Sequence, residues 1–196
     1  TKEEEYALEQ CYESLEETFD GRVMVAKNGE LCNHPGDLSL EEQGQCKAVN
    51  AAAATVNTPW IFVTNDDMIY APGWWERLTS FLPATADSDN NPYDKYCISP
   101  MLIEPHSGAP TFQVQSFGGA GGDFDKEKWV NFVKDYYHRP LESYITHDIR
   151  TGFNLPFLIS KELWDLVGGY DINFDPWGSN GDSDLEYKIK LAGIQP

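Results

Sequence analysis

Two groups of carboxylates stand where chemistry would need them. The first is Asn65-Asp66-Asp67, which ends the apolar run Trp60 to Val63. Side chains alternate along a strand, so strand geometry through the triplet would put Asn65 and Asp67 on one face and turn Asp66 away. A carboxylate beside a neutral amide oxygen suits a hard divalent cation, Mg²⁺ or Mn²⁺. An Asx turn that closes the strand, helped by Pro72-Gly73, is the competing reading. The second group is Gly181-Asp182-Ser183-Asp184, at the end of a Gly-rich loop and just before a helix. Asp184 fits the N-cap of that helix. Asp182 then sits near a helix N-terminus, where the dipole favours the anion, and is available as a general base toward a hydroxyl. Here the competing reading is that both aspartates only cap.

Helix and strand signals alternate around these groups. Lys2 to Thr18 reads as an amphipathic helix, with Tyr6, Leu8, Cys11, Tyr12 and Leu15 at helical spacing. Arg22 to Ala26 reads as a short strand stopped by the turn signal Lys27-Asn28-Gly29, and Leu40 to Val56 as a helix with a small-residue second half. Trp60 to Thr64, Tyr96 to Ile103 and Phe153 to Ile159 read as apolar strands, and Trp74 to Leu82 as a helix. Ala84 to Asp94 is a polar loop. Asp125 can cap a helix from Lys126 to Tyr137. Ser160 can cap Lys161 to Val167, which Gly168-Gly169 ends. Asp184 opens a last helix through Leu191. This alternation predicts an α/β fold with a parallel, doubly wound sheet, whose ligands lie outside the carboxyl ends of the strands. The chain opens on a helix and stops at Ile194-Gln195-Pro196, so part of a first strand and a C-terminal end read as missing.

Length and composition bound the rest. At 196 residues with no internal repeat, the expectation is one domain over 1–196. A formal net charge of -18 argues against nucleic acid or an anionic membrane surface as partner. No apolar stretch reaches the roughly 18 residues of a membrane span, and no signal peptide is visible. Cys11, Cys32, Cys46 and Cys97 show neither Cys-x-x-Cys nor zinc spacing. They read as free thiols of a reducing, cytoplasmic compartment, with two disulfides in a secreted domain as the alternative. His34, His106, His138 and His147 are scattered, without metal-ligand spacing. The Gly118 to Gly122 loop lacks the Lys-Ser/Thr of a phosphate loop and reads as a flexible connection or an acceptor-side lid. Trp177 and Tyr170 could form a stacking platform for a sugar ring, with core packing as the competing reading, preferred for Tyr170 and open for Trp177.

Three runs in order carry a resemblance. Gly44 to Ala54, then Asn65-Asp66-Asp67, then Pro72 to Leu78 resemble the core of nucleotide-sugar glycosyltransferases with the GT-A fold, family 2 in particular. Gly168-Gly169-Tyr170-Asp171, followed by Gly181 to Leu185, resembles that family's second signature, Gly-Gly-Phe-Asp and then Glu-Asp-x-Asp-Leu. Val23 to Gly29 resembles its second strand. The resemblance implies a GT-A, Rossmann-like and mostly parallel central sheet flanked by helices. It implies a nucleotide-binding half over about 1–103 and an acceptor half over about 104–196. It also implies metal-dependent transfer, with inversion, from a nucleoside-diphosphate sugar to a hydroxyl of a glycan, a lipid-linked or a protein acceptor. Carried over residue by residue, Asp67 holds Mn²⁺ or Mg²⁺ on the diphosphate, Asn65 lies near ribose and metal, and Asp66 has a lesser role. Lys27 and Asn28 lie beside the base, Lys47 near the nucleotide or diphosphate, and Asp182 is the catalytic base. The sequence departs from the pattern at Gly181, where the family has Glu, at Asn65, where it has Asp, and at Lys27, where an acid is common. The alternative is a non-catalytic nucleotide- or sugar-binding or interaction module of the same fold. A nucleotidyltransferase is a third reading.

Overall fold

The computed structural model describes residues 2–29, 37–80, 82, 97–100, 102–104, 113–114, 116–118, 123–137, 155–176 and 180–194. In chain order the elements are α1 (Lys2–Thr18), β1 (Ala26–Asn28), β2 (Leu38–Leu40), α2 (Gln45–Ala54), β3 (Trp60–Val63), α3 (Trp74–Thr79), β4 (Cys97–Ile98) and β5 (Ile103–Glu104). There follow β6 (Gln113–Val114), α4 (Lys126–Tyr137), β7 (Phe157–Ser160), α5 (Lys161–Val167), a 3-10 turn (Ile172–Phe174) and α6 (Gly181–Leu191). They divide between two units. One comprises Thr1–Asp20, Asn65–Phe81 and Pro100–Arg150, and the other Gly21–Thr64, Leu82–Ser99 and Thr151–Pro196.

In the first unit, one row of α1 does the packing. Cys11, Ser14 and Leu15 are buried, as the helical spacing requires. Ser14 Oγ donates to the Cys11 carbonyl at 2.8 Å and accepts from the Tyr70 amide at 3.0 Å. One turn on, Thr18 Oγ1 accepts from Trp74 Nε1 at 2.9 Å. Phe19 packs on Trp74 and edge-on against Trp75, at 5.9 and 4.9 Å between ring centroids. Asp125 caps α4 as expected, accepting from the Lys128 amide at 2.9 Å. Strands β5 and β6 pair in parallel.

In the second unit, β7 is central. Its four residues are buried, and Phe157, Leu158 and Ile159 are fully so. Full burial of such side chains contributes about 1.5–3 kcal/mol each. β7 runs antiparallel to β3 on one side, with Val63 opposite Phe157, and antiparallel to β4 on the other, with Cys97 opposite Ile159. β1 and β2 form a separate parallel pair, covered by α2. Ser160 ends β7 and caps α5, its Oγ accepting from the Leu163 amide at 3.2 Å. Gly168, at φ 77°, ends that helix in the left-handed conformation that glycine adopts without strain.

Among the described residues the expected mostly parallel central sheet does not form. The second unit holds two separate short sheets, of two and three strands, and the three-stranded one is antiparallel throughout. Burial patterning cannot encode strand polarity, because side chains alternate identically whichever way a strand runs. A wholly apolar strand such as β7 fits the centre of either kind of sheet. The strand expected over Tyr96 to Ile103 divides into β4 and β5, which belong to different units. Pro100, between them, has no N–H for a ladder. No helix of the described residues is long and apolar enough to cross a membrane.

Candidate functional site

The start of α2 gathers several of the residues singled out by the sequence. The helix begins at Gln45 rather than at Leu40, and a distant side chain is what opens it. Asp175 reaches back so that Oδ1 accepts from the Cys46 amide at 2.9 Å and Oδ2 from the Lys47 amide at 3.0 Å. Those amides would otherwise lack partners, and the helix dipole favours an anion there. Gly44 makes room for it, since a Cβ at this position would lie 2.5 Å from Asp175 Oδ2. The Gly44 amide in turn donates to Asn28 Oδ1 at 2.5 Å. Lys47 pairs through its ammonium with Glu42 at 2.5 Å, which holds the lysine above its usual range. The two groups of Lys47 that a diphosphate would meet are thus both engaged within the chain. Lys27 lies in the middle of β1, opposite Ser39.

Asp182 stands in the first turn of α6, with Asp184. The N-cap is Asn180, at φ 66°, so Asp184 does not open the helix as expected. It lies inside the first turn and pairs with Lys188 at 2.6 Å. Asp182 takes a different partner, with the Tyr170 hydroxyl donating to its Oδ1 at 2.6 Å. Tyr170 is a core residue, 5% exposed, and its ring meets Trp164 edge-on at 5.8 Å. Burial first, and the Asp182 carboxylate second, push its ionisation far above the ordinary phenol range. Asn50, from α2, brackets the Tyr170 backbone: its Nδ2 donates to the carbonyl at 2.8 Å and its Oδ1 accepts from the amide at 2.9 Å. Burial, then the Asp175 carboxylate, raises the Cys46 thiol to about 11, and burial raises Cys97 to about 12. Burial thus favours the thiol over the thiolate, which is the reactive form.

Asn65, Asp66 and Asp67 belong to the first unit. β3 has ended at Val63, and Asp66 and Asp67 make a turn, so strand alternation does not order the triplet. Asp67 is exposed as a residue, yet partial desolvation, followed by the Asp66 charge, holds its carboxyl above the ordinary value. Among the described residues no group of three or more His, Cys, Asp or Glu side chains is placed to hold a metal ion. The cation centre read into the triplet therefore loses its structural support: two adjacent carboxylates in an exposed turn are a weak cation site. A cleft of about 520 Å³ in the same unit is lined by Glu16, Asp20, Phe19, Trp75 and Glu76 among others, and includes none of the triplet. Trp177, Cys32, the four histidines, the loop over 84–94 and residues 119–122 lie outside the described residues.

Asp175 and Asn50 escaped the sequence reading. Asp175 is 129 residues from Cys46 and Asn50 is 120 from Tyr170, so no local spacing connects them. Gly44, a glycine inside the helix read over Leu40 to Val56, was the one available signal of a close approach.

Compared with known proteins, the chain matches no family model, no curated protein and no solved structure. Together with the short separate sheets, this overturns the resemblance to GT-A glycosyltransferases of family 2, and with it the DxD-like and manganese-site reading. The motif residues have local duties that account for their presence. Gly168 and Gly169 end α5, and Asp171 accepts from the Asn173 amide at 2.9 Å to cap the 3-10 turn. Gly181 packs where a Cβ would come 3.2 Å from Cys46 Sγ and 3.3 Å from the Tyr170 ring.

Proposed function

We propose that Asp182 is a general base that takes the proton from an acceptor hydroxyl in a group-transfer reaction. The donor to assay first is a nucleoside-diphosphate sugar, with the hydroxyl of a glycan, a lipid-linked or a protein acceptor. One observation carries this reading. Asp182 Oδ1 is tied to the Tyr170 hydroxyl at 2.6 Å, while among the described residues no hydrogen bond is made to Oδ2. A carboxylate fixed by one oxygen, at a helix start that favours its charge, can receive a proton at the other as the alcohol oxygen attacks. The support is this side-chain geometry alone, independent of family or sheet type. Asp182→Asn should lower nucleoside-diphosphate release in the presence of acceptor by about 10²- to 10⁴-fold. Turnover at the wild-type rate in that variant would remove the assignment.

A reducing, cytoplasmic setting is a separate proposal, supported by the free, buried thiols of Cys11, Cys46 and Cys97.

A second reading, an interaction module that transfers nothing, is favoured by the Asp175 carboxylate on the α2 amides and by the Lys47–Glu42 pair, which leave neither group of Lys47 open to a diphosphate. Calorimetry without nucleotide-sugar binding, and no nucleoside diphosphate released over a range of acceptors, would favour it over the first.

A further inference from the structure

We infer that Tyr170 is a positioning residue for Asp182, and that Asn50 positions Tyr170 in turn; this rests on the reading of Asp182 as a base. Tyr170 is held at every point except its hydroxyl. Its backbone is bracketed by the two bonds from Asn50. Its ring lies edge-on to Trp164, at 73° between planes. Gly181 closes on the other side, where a methyl group would already touch the ring. The neighbouring turn is just as tight, because a Cβ on Gly169 would lie 2.6 Å from Asn50 Oδ1. With ring and backbone fixed, the one remaining freedom of the phenol is rotation of its O–H, and the bond to Asp182 Oδ1 takes that up.

An aspartate in the first turn of a helix otherwise has two rotatable bonds and solvent on one side. A fixed donor restricts it to one rotamer and presents Oδ2 in one direction, which is what a base needs to meet a hydroxyl at hydrogen-bond distance. The donor stays protonated at any working pH, since burial and the adjoining carboxylate oppose ionisation of the phenol. Cys46 and Cys97, the other titratable groups beside the ring, are likewise held neutral by burial. A phenylalanine would fill the same space and supply no donor.

The test is Tyr170→Phe, read in two ways. Side-chain couplings of Asp182 in the NMR spectrum should pass from single-rotamer values to averaged ones, while the amide fingerprint of the rest of the unit stays in place. In the transfer assay kcat should fall about tenfold with KM unchanged, the pattern of lost orientation rather than lost binding. Couplings that keep their wild-type values would overturn the inference. The couplings need no turnover, so a wild type inactive with every donor would defeat the base reading and still leave Tyr170 judged. Should Tyr170→Phe not fold, Asp182→Asn gives the reciprocal reading. The NMR shift of the Tyr170 ζ-carbon should then move from its wild-type position, and an unchanged shift would overturn the contact.

Discussion

The Asp175 seat on α2 makes a sharp prediction, because Gly44 and Asp175 compete for one space. Gly44 has φ 171°, extended backbone that any residue adopts, so alanine there meets no conformational penalty. The nearest atoms a Cβ would meet among the described residues belong to the Asp175 carboxylate, the closest 2.5 Å away. Asp175→Ala removes two charge-assisted bonds, at 2.9 and 3.0 Å, from amides with no intrahelical partner. The expected loss is about 2 kcal/mol, in the range of lost helix caps and bonds to charged groups. Gly44→Ala should cost about the same, by driving the carboxylate off its seat. In the Asp175→Ala background the clashing atoms are gone, so Gly44→Ala should cost close to nothing. The coupling across the cycle is then about 2 kcal/mol, or about 4–8 °C in Tm for a chain of this length. Thermal and urea unfolding of the wild type, both single variants and the double variant measure it. Losses that add to within about 0.5 kcal/mol would show that the two positions do not share the space.

Two further outcomes are expected. Cys11 and Cys46, raised to about 11, and Cys97, raised to about 12, carry thiolate fractions on the order of one in a thousand or less at pH 8. Iodoacetamide followed by mass spectrometry should therefore label them only after unfolding, and labelling of the native chain at the unfolded rate would contradict this. Asp67 has a folded-state value above its unfolded value of about 3.9. Its contribution to stability is fully present below that unfolded value and is lost as pH rises through the folded one. Asp67→Asn should accordingly be more stable than the wild type at pH 7, by a margin that shrinks toward pH 4. Urea unfolding at the two pH values decides it, and an equal margin at both would be the contrary result.

Local chemistry was legible in the sequence. The periodicity of Lys2–Thr18, the Asp125 cap on Lys126–Tyr137, and the Ser160 cap and Gly168 stop around Lys161–Val167 all appear where expected, because each signal lies within one helical turn of what it controls. What depended on distant partners was not legible. Asp175 decides where α2 starts, and Asn180 rather than Asp184 occupies the start of α6. Strand direction was hidden as well, since Phe157–Ser160 reads as buried either way round. Motif spelling misled for a related reason: Gly168, Gly169, Asp171 and Gly181 are placed by turn and packing demands that any chain with these bends would meet.

The place of β7 in the sheet also bears on how the protein comes off the ribosome. β3 ends at Val63 and Cys97–Ile98 follows, but the strand that lies between them begins only at Phe157. The two outer edges are translated first and have no mutual ladder to form. At about 5–20 residues per second they wait on the order of several seconds for the segment that joins them. Throughout that interval Ile61, Val63 and Cys97 lack their β7 partners, so the nascent chain is most open to chaperones and to mispairing just before Phe157–Ser160 emerges.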